Sequence, residues 1–348
     1  MAGDVMDLHD HHDDHGDDHP HDGFIAFQES GLQPIAAEII AAPAPAGGVF
    51  DFSVPGGSTG GGASVPALSS NPTADQTIFL DFDGHIVRDT FWNNDNGGRP
   101  IHAEAFSTDS NAGSFSVAEV ERIEEIFRRV AEDFAPFDVN VTTVDPGVAA
   151  FQAGGRAIRA LVSTNIDSAA MGGTGNRWFA NAGGVAYVNS WNFRSDTPVW
   201  VFANNLGGGN EKFVAEAISH EVGHALGLSH DGNASNEYHG GGGSGATGWA
   251  PIMGSGYGRA LTQWSRGEYS GATTTQDDVA IIANKLGYET DTVGNSISNA
   301  SALAVDASGS FNVGGLISRR NDVDVYQFTT TGGEVSIAAD AFDTAEDH

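Results

Sequence analysis

The run from His220 to Asp231, reading His-Glu-Val-Gly-His-Ala-Leu-Gly-Leu-Ser-His-Asp, constrains this chain more than any other stretch. Its three histidines and one glutamate have the spacing of a hydrolytic metal site. His220 and His224 lie four apart, so on a helix they stand one above the other and both rings reach one ion. Glu221 adjoins the first of them, where it can act on a water at the ion without being a ligand itself. Gly227 has no Cβ and can take the backbone conformation that ends a helix. The chain can then turn and return His230 to the same ion. Three protein ligands leave a fourth position open, which is the catalytic rather than the structural arrangement of zinc.

His-Glu-x-x-His alone is a short pattern that also occurs by chance; Gly227 and His230 add two fixed positions. A second element follows at Pro251-Ile252-Met253-Gly254 and looks like a methionine turn. Together the two elements resemble the metzincin zinc endopeptidases, with Asp231 after the third histidine as in the reprolysin-like branch. The resemblance implies that His220, His224 and His230 bind Zn²⁺ and that Glu221 is the general base. It also implies that Met253 packs beneath the metal and that Asp231 makes a supporting hydrogen bond. Asp231 reads equally well as a residue of the helix-exit turn. The plain reading of Met253, a core residue filling a gap, is close to the same physical role. One position departs from part of the clan: two residues after the methionine stands Ser255, not tyrosine, and Tyr257 comes later. No metal-switching role is carried to Tyr257.

The chain has 348 residues, a formal net charge of −31 and no cysteine. Disulfides, thiolate metal sites and a cysteine-based zymogen lock are therefore excluded. The acidic balance disfavours nucleic acid or anionic membranes as partners. No apolar run is long enough for a membrane span. Clustered aspartates and glycine-rich loops suggest a structural Ca²⁺ site held by oxygen ligands. Met1-Ala2-Gly3-Asp4 has neither the basic nor the apolar part of a signal peptide. The metzincin resemblance nonetheless implies a secreted, extracellular protein. Nothing in the sequence specifies an oligomeric state.

Three regions are expected. Residues 1–75 comprise a His/Asp-rich tract over 1–22, an apolar patch at Ile35–Ala42 with helical potential, and a Gly/Ser/Pro linker over 55–75. Residues 76–290 form the catalytic domain, an α/β (α+β) metzincin-type fold with a mixed sheet and a zinc-binding helix. Strands are expected at 77–82, 138–144, 158–163, 185–189 and 199–202. A helix capped by Ser116 and Glu119 is expected between the first two. The zinc helix covers about 211–227, and a last helix capped by Thr275 runs to Leu286. Residues 232–248, glycine-rich and containing His239, are expected to form a flexible loop beside the site. In the resemblance, Val185, Ala186 and Tyr187 belong to an edge strand that pairs with extended substrate; an ordinary buried strand fits the same pattern. Residues 291–348 resemble the start of a pre-peptidase C-terminal domain, a partial β-sandwich, with Asp322 and Asp324 at a strand edge.

These features imply a secreted zinc-dependent endopeptidase acting on protein or peptide substrates. The competing reading is an extracellular binding or adhesive protein with a non-catalytic zinc site. An intact Glu221 argues against it, since a purely structural site has no use for a base. A metal-scavenging function for the His/Asp tract is a third reading.

Overall fold

The computed structural model describes residues 24–27, 63–306, 308–329 and 336–338. The His/Asp tract and the Ile35–Ala42 patch lie outside the described residues.

The centre of the molecule is a mixed sheet. Its strands are β1 (Phe24–Phe27), β2 (Thr77–Asp81), β3 (Asn140–Thr142), β4 (Ala157–Ser163), β5 (Gly184–Tyr187) and β6 (Val199–Phe202), in the spatial order β1-β5-β6-β4-β2-β3. β3, β2, β4 and β6 run parallel, whereas β5 is antiparallel to β6. Every residue of β4, β5 and β6 is buried. This is why their sequences read as apolar runs rather than alternating ones. The expected strands form: 199–202 matches, β4 and β5 each start one residue earlier, and β2, β3 and β5 are trimmed by a residue or more at their ends.

Helix α1 (Val117–Asp133) begins at the expected capping box. The Ser116 N–H donates to Glu119 Oε2 at 2.8 Å, and the Glu119 N–H donates to Ser116 Oγ at 3.3 Å. Two of the orphan donors of the first turn are thereby satisfied. Ile123, Ile126, Phe127 and Val130 form its buried stripe, packed with Ile218 and Val222 of α2 (Glu211–Ala225) in one core between helices and sheet. The opposite face of the sheet carries a second, aromatic cluster around Trp92, Trp200 and Phe202. Arg159, inside β4, is tolerated because Asp81 (2.5 Å) and Asp196 (2.7 Å) neutralise it.

Four expectations change. Residues 63–75, expected to belong to the linker, pack on the domain: Leu68 is buried and exchanges hydrogen bonds with Thr143 Oγ1 and Thr142 Oγ1. The last helix, α3 (Asp278–Leu286), is capped by Asp277, which accepts from the Ala280 N–H at 3.2 Å, and not by Thr275. The glycine-rich loop is pinned. Gly241 sits so close to Trp249 that a Cβ there would lie 1.7 Å from its carbonyl oxygen, and Arg259 donates to the carbonyls of Gly240 and Gly243. In the C-terminal region, Asp322 and Asp324 lie outside any strand, and the strand that follows them is only Tyr326–Gln327, paired in parallel with Ser301–Ala302. Among the described residues no sandwich forms there. No described helix is long and apolar enough to cross a membrane.

Candidate metal centre

Asn210 starts α2 by accepting from the Phe213 N–H at 3.1 Å. From Val214 to Ala225 every residue of the helix is buried. His220 and His224 are thus held on a helix that runs through the core. Their rings are 4.7 Å apart between centroids and nearly perpendicular. The helix ends at Leu226, and Gly227 takes a φ of +106°, a region that favours glycine. The Leu228 N–H then donates back to the Gly223 carbonyl at 3.0 Å. This reversal brings the His230 ring to 5.3 Å from His220 and 4.8 Å from His224. One ligating nitrogen of each histidine lies within 4.8 Å of the other two.

The tautomers follow from the partners. Nδ1 of His220 meets the Ile252 carbonyl at 2.8 Å, Nδ1 of His224 the Leu228 carbonyl at 2.8 Å, and Nδ1 of His230 a Glu237 carboxylate oxygen at 2.7 Å. Carbonyl and carboxylate oxygens only accept, so each Nδ1 must carry the hydrogen. Each neutral ring then presents the lone pair of Nε2 to the common point. Burial keeps the rings neutral. It holds His220 well below its ordinary range, with the neighbouring imidazoles adding to the effect, and lowers His224 to about 4. Burial, with His224 nearby, lowers His230 to about 3. Nε2 of His224 and of His230 is buried with no hydrogen-bond partner in the protein. Buried polar atoms are normally paired, so these orphans ask for an electron-pair acceptor. Three neutral imidazoles with oriented second partners suit Zn²⁺ and leave a position open on it.

Glu221 is fully buried, and neither of its carboxylate oxygens has a hydrogen-bond partner. Burial pushes its carboxyl well above the usual carboxylate range. A dication nearby acts in the opposite direction and favours the ionised base. The Glu221 side chain fits only because Gly184 of β5 has none: a Cβ on Gly184 would lie 2.6 Å from Glu221 Cγ. Strand β5 therefore presses directly on Glu221.

Met253 is fully buried, and its sulfur lies against Gly223, one residue before His224. Its own turn also supplies the Ile252 carbonyl that orients His220. Asp231 ties the parts together. Its N–H donates to the Met253 carbonyl at 2.8 Å, its carbonyl accepts from the His239 N–H at 2.7 Å, and its carboxylate faces Tyr269. Burial raises that carboxyl to about 6. His239 stacks on Tyr269 at 4.0 Å and takes no place among the ligands. Tyr257 is buried against Phe213. Val185, Ala186 and Tyr187 lie in β5 with buried side chains, so only their backbone faces the sheet edge.

Two residues of the site carry no signal in the sequence. Glu237 orients His230, and the Tyr238 ring packs 4.3 Å from the His230 ring. Both sit in an irregular loop where no periodicity marks them.

Residues 156–231 match the family model described as metallo-peptidase family M12B, reprolysin-like. The matched segment runs from the start of β4 through β5, β6 and α2 to Asp231, so it contains all three histidines and Glu221. With the histidine triad, it supports a zinc-dependent metallopeptidase, a hydrolase acting on proteins or peptides. No curated protein matches the chain.

The carboxylates of Asp291, Asp322 and Asp324 also gather within 4.8 Å of one another. Asp291 is exposed, while Asp322 and Asp324 are half-buried; Oδ1 of each is buried with no hydrogen-bond partner in the protein, and Asp322 Oδ2 accepts from the Ser318 N–H at 2.8 Å. The family match says nothing of the expected Ca²⁺.

Proposed function

We propose that this chain is a secreted endopeptidase that hydrolyses internal bonds of extended peptides, with Zn²⁺ held by His220, His224 and His230. The observation that carries the reading is Glu221. Its carboxylate is fully buried beside the triad and bonds to nothing in the protein. A structural site gains nothing from an unpaired buried carboxyl, which costs on the order of several kcal/mol when ionised.

Zn²⁺, when bound, supplies a Lewis acid for the scissile carbonyl and lowers the pKa of water toward neutrality. The chain's own residues do the rest. Glu221 accepts the proton of the attacking water at one carboxylate oxygen and returns it to the departing amine nitrogen. The hydrophobic packing around it excludes competing water. Ile252, Leu228 and Glu237 keep the three rings in the tautomer that donates Nε2. The backbone of β5 offers the hydrogen-bonding groups that hold a peptide extended past Glu221.

The test is Glu221→Gln in the full chain. Zinc content should stay at one per chain, and cleavage of unfolded casein should fall by about three orders of magnitude or more. Undiminished cleavage in that variant removes Glu221 from the mechanism. His224→Ala should abolish stoichiometric zinc.

A further inference from the structure

The edge of β5 is already taken. Strand β1 pairs with it antiparallel, in the register Phe24 with Tyr187, Ile25 with Ala186, Ala26 with Val185 and Phe27 with Gly184. On its other side β5 is paired with β6. A strand has two rows of backbone groups, so no row is left for a third peptide. The register also sets a direction. Gly184 is the residue whose backbone lies against Glu221, and Phe27 is its partner. The N-terminal segment thus runs along β5 with its C-terminal end pointing at the catalytic base.

We propose that Phe24–Phe27 is a built-in competitor for the substrate strand, an autoinhibitory segment that occupies the edge of β5 and must leave before an extended peptide can bind. This inference rests on the peptidase reading of the same site. The chemistry is strand addition: backbone hydrogen bonds provide the affinity, and three of the four residues, Phe24, Ile25 and Phe27, are good strand formers. Residues 28–62 join the segment covalently to the domain. Covalent linkage gives an effective concentration on the order of mM, so modest strand affinity suffices to hold it in place. With no cysteine in the chain, a thiolate cannot block the metal, and strand occupancy is a way of holding the enzyme inactive that needs none. Competition of this kind raises KM and leaves kcat unchanged once the edge is free.

The experiment compares the full chain with the full-length double variant Ile25→Pro, Ala26→Pro. Neighbouring residues of a strand alternate in the side to which the N–H points, so one of the two prolines must delete a bond to β5. Cleavage of a quenched fluorescent peptide is measured together with hydrogen exchange of the β5 amides. The double variant should show a KM lower by about tenfold or more at unchanged kcat. Its β5 amides should exchange faster, and a synthetic peptide of residues 23–28 should inhibit it competitively and restore their protection. Equal KM and equal exchange in the two chains overturn the proposal. If both chains hold one zinc and neither cleaves any peptide, the peptidase reading fails. The exchange data then judge the strand alone: faster β5 exchange in the double variant supports its docking, and identical exchange overturns it.

Discussion

The Met253 sulfur occupies the space that a side chain on Gly223 would need, 2.5 Å from where its Cβ would lie. This contact joins the metal helix to the turn that orients His220. Leu228 closes the same space, with Cδ1 at 3.3 Å. In an open helix Gly223→Ala would stabilise by about 1 kcal/mol. Here overpacking should win and cost about 1–3 kcal/mol. Urea unfolding of Gly223→Ala, Met253→Ala and the double variant tests the contact. The double variant should be less destabilised than the sum of the singles. Simple additivity would mean that the two residues do not compete for one space.

Gly184 has the same relationship to Glu221. A Cβ there would meet Glu221 Cγ at 2.6 Å and the Trp200 carbonyl oxygen at 2.7 Å. The carbonyl belongs to the sheet backbone and cannot yield. Gly184→Ala should therefore displace the base and cut kcat by about a hundredfold, since misplacing a reacting group by about 1 Å costs that much. Zinc should remain, because Glu221 is not a ligand. Wild-type turnover in this variant would show that the strand does not set the base.

Glu237 is the one orienting group supplied by a mostly exposed side chain, 68% accessible. Removing a partner of a ligating histidine usually weakens metal binding by about 10–100-fold. Solvent can replace an exposed partner in part, so Glu237→Ala should fall near the low end, about tenfold. Competition with a calibrated chelator measures it. An unchanged affinity would leave His230 oriented by something other than this carboxylate.

Asp278 faces Asp231 behind the site. Burial, with the charge of Asp231 adding to it, raises its carboxyl to about 8. The folded chain thus holds a proton that the unfolded chain releases near its ordinary pKa. The contribution to stability is fully present below that unfolded value and is lost as pH rises through about 8. Asp278→Asn mimics the protonated form and can still accept from the Ser265 N–H, now at 3.0 Å. Its advantage over the native chain should be small near pH 4 and grow to a few kcal/mol, roughly, by pH 8. Parallel urea midpoints of the two chains across that range would refute the assignment.

Much of the site is legible in the sequence because its rules are local. Helical spacing places His220 and His224 on one face, and a glycine at 227 permits the reversal to His230. The capping box at Ser116 and Glu119 marks α1, and the apolar runs mark β4 and β6. The site's other determinants depend on distant residues. Nothing near His220 in sequence predicts that a carbonyl 32 positions away sets its tautomer. Nor does anything near Phe24 predict its pairing with Tyr187.

The sequence alone determined which three imidazoles can meet at one point and which carboxylate stands beside them, because these depend on residue type and on spacing within a few turns of chain. Only the tertiary structure decided that Glu221 is sealed under Gly184, that Met253 fills the space at Gly223, and that the edge of β5 is occupied. Those depend on close packing and backbone pairing between segments far apart in the chain, and neither leaves a local periodic signature.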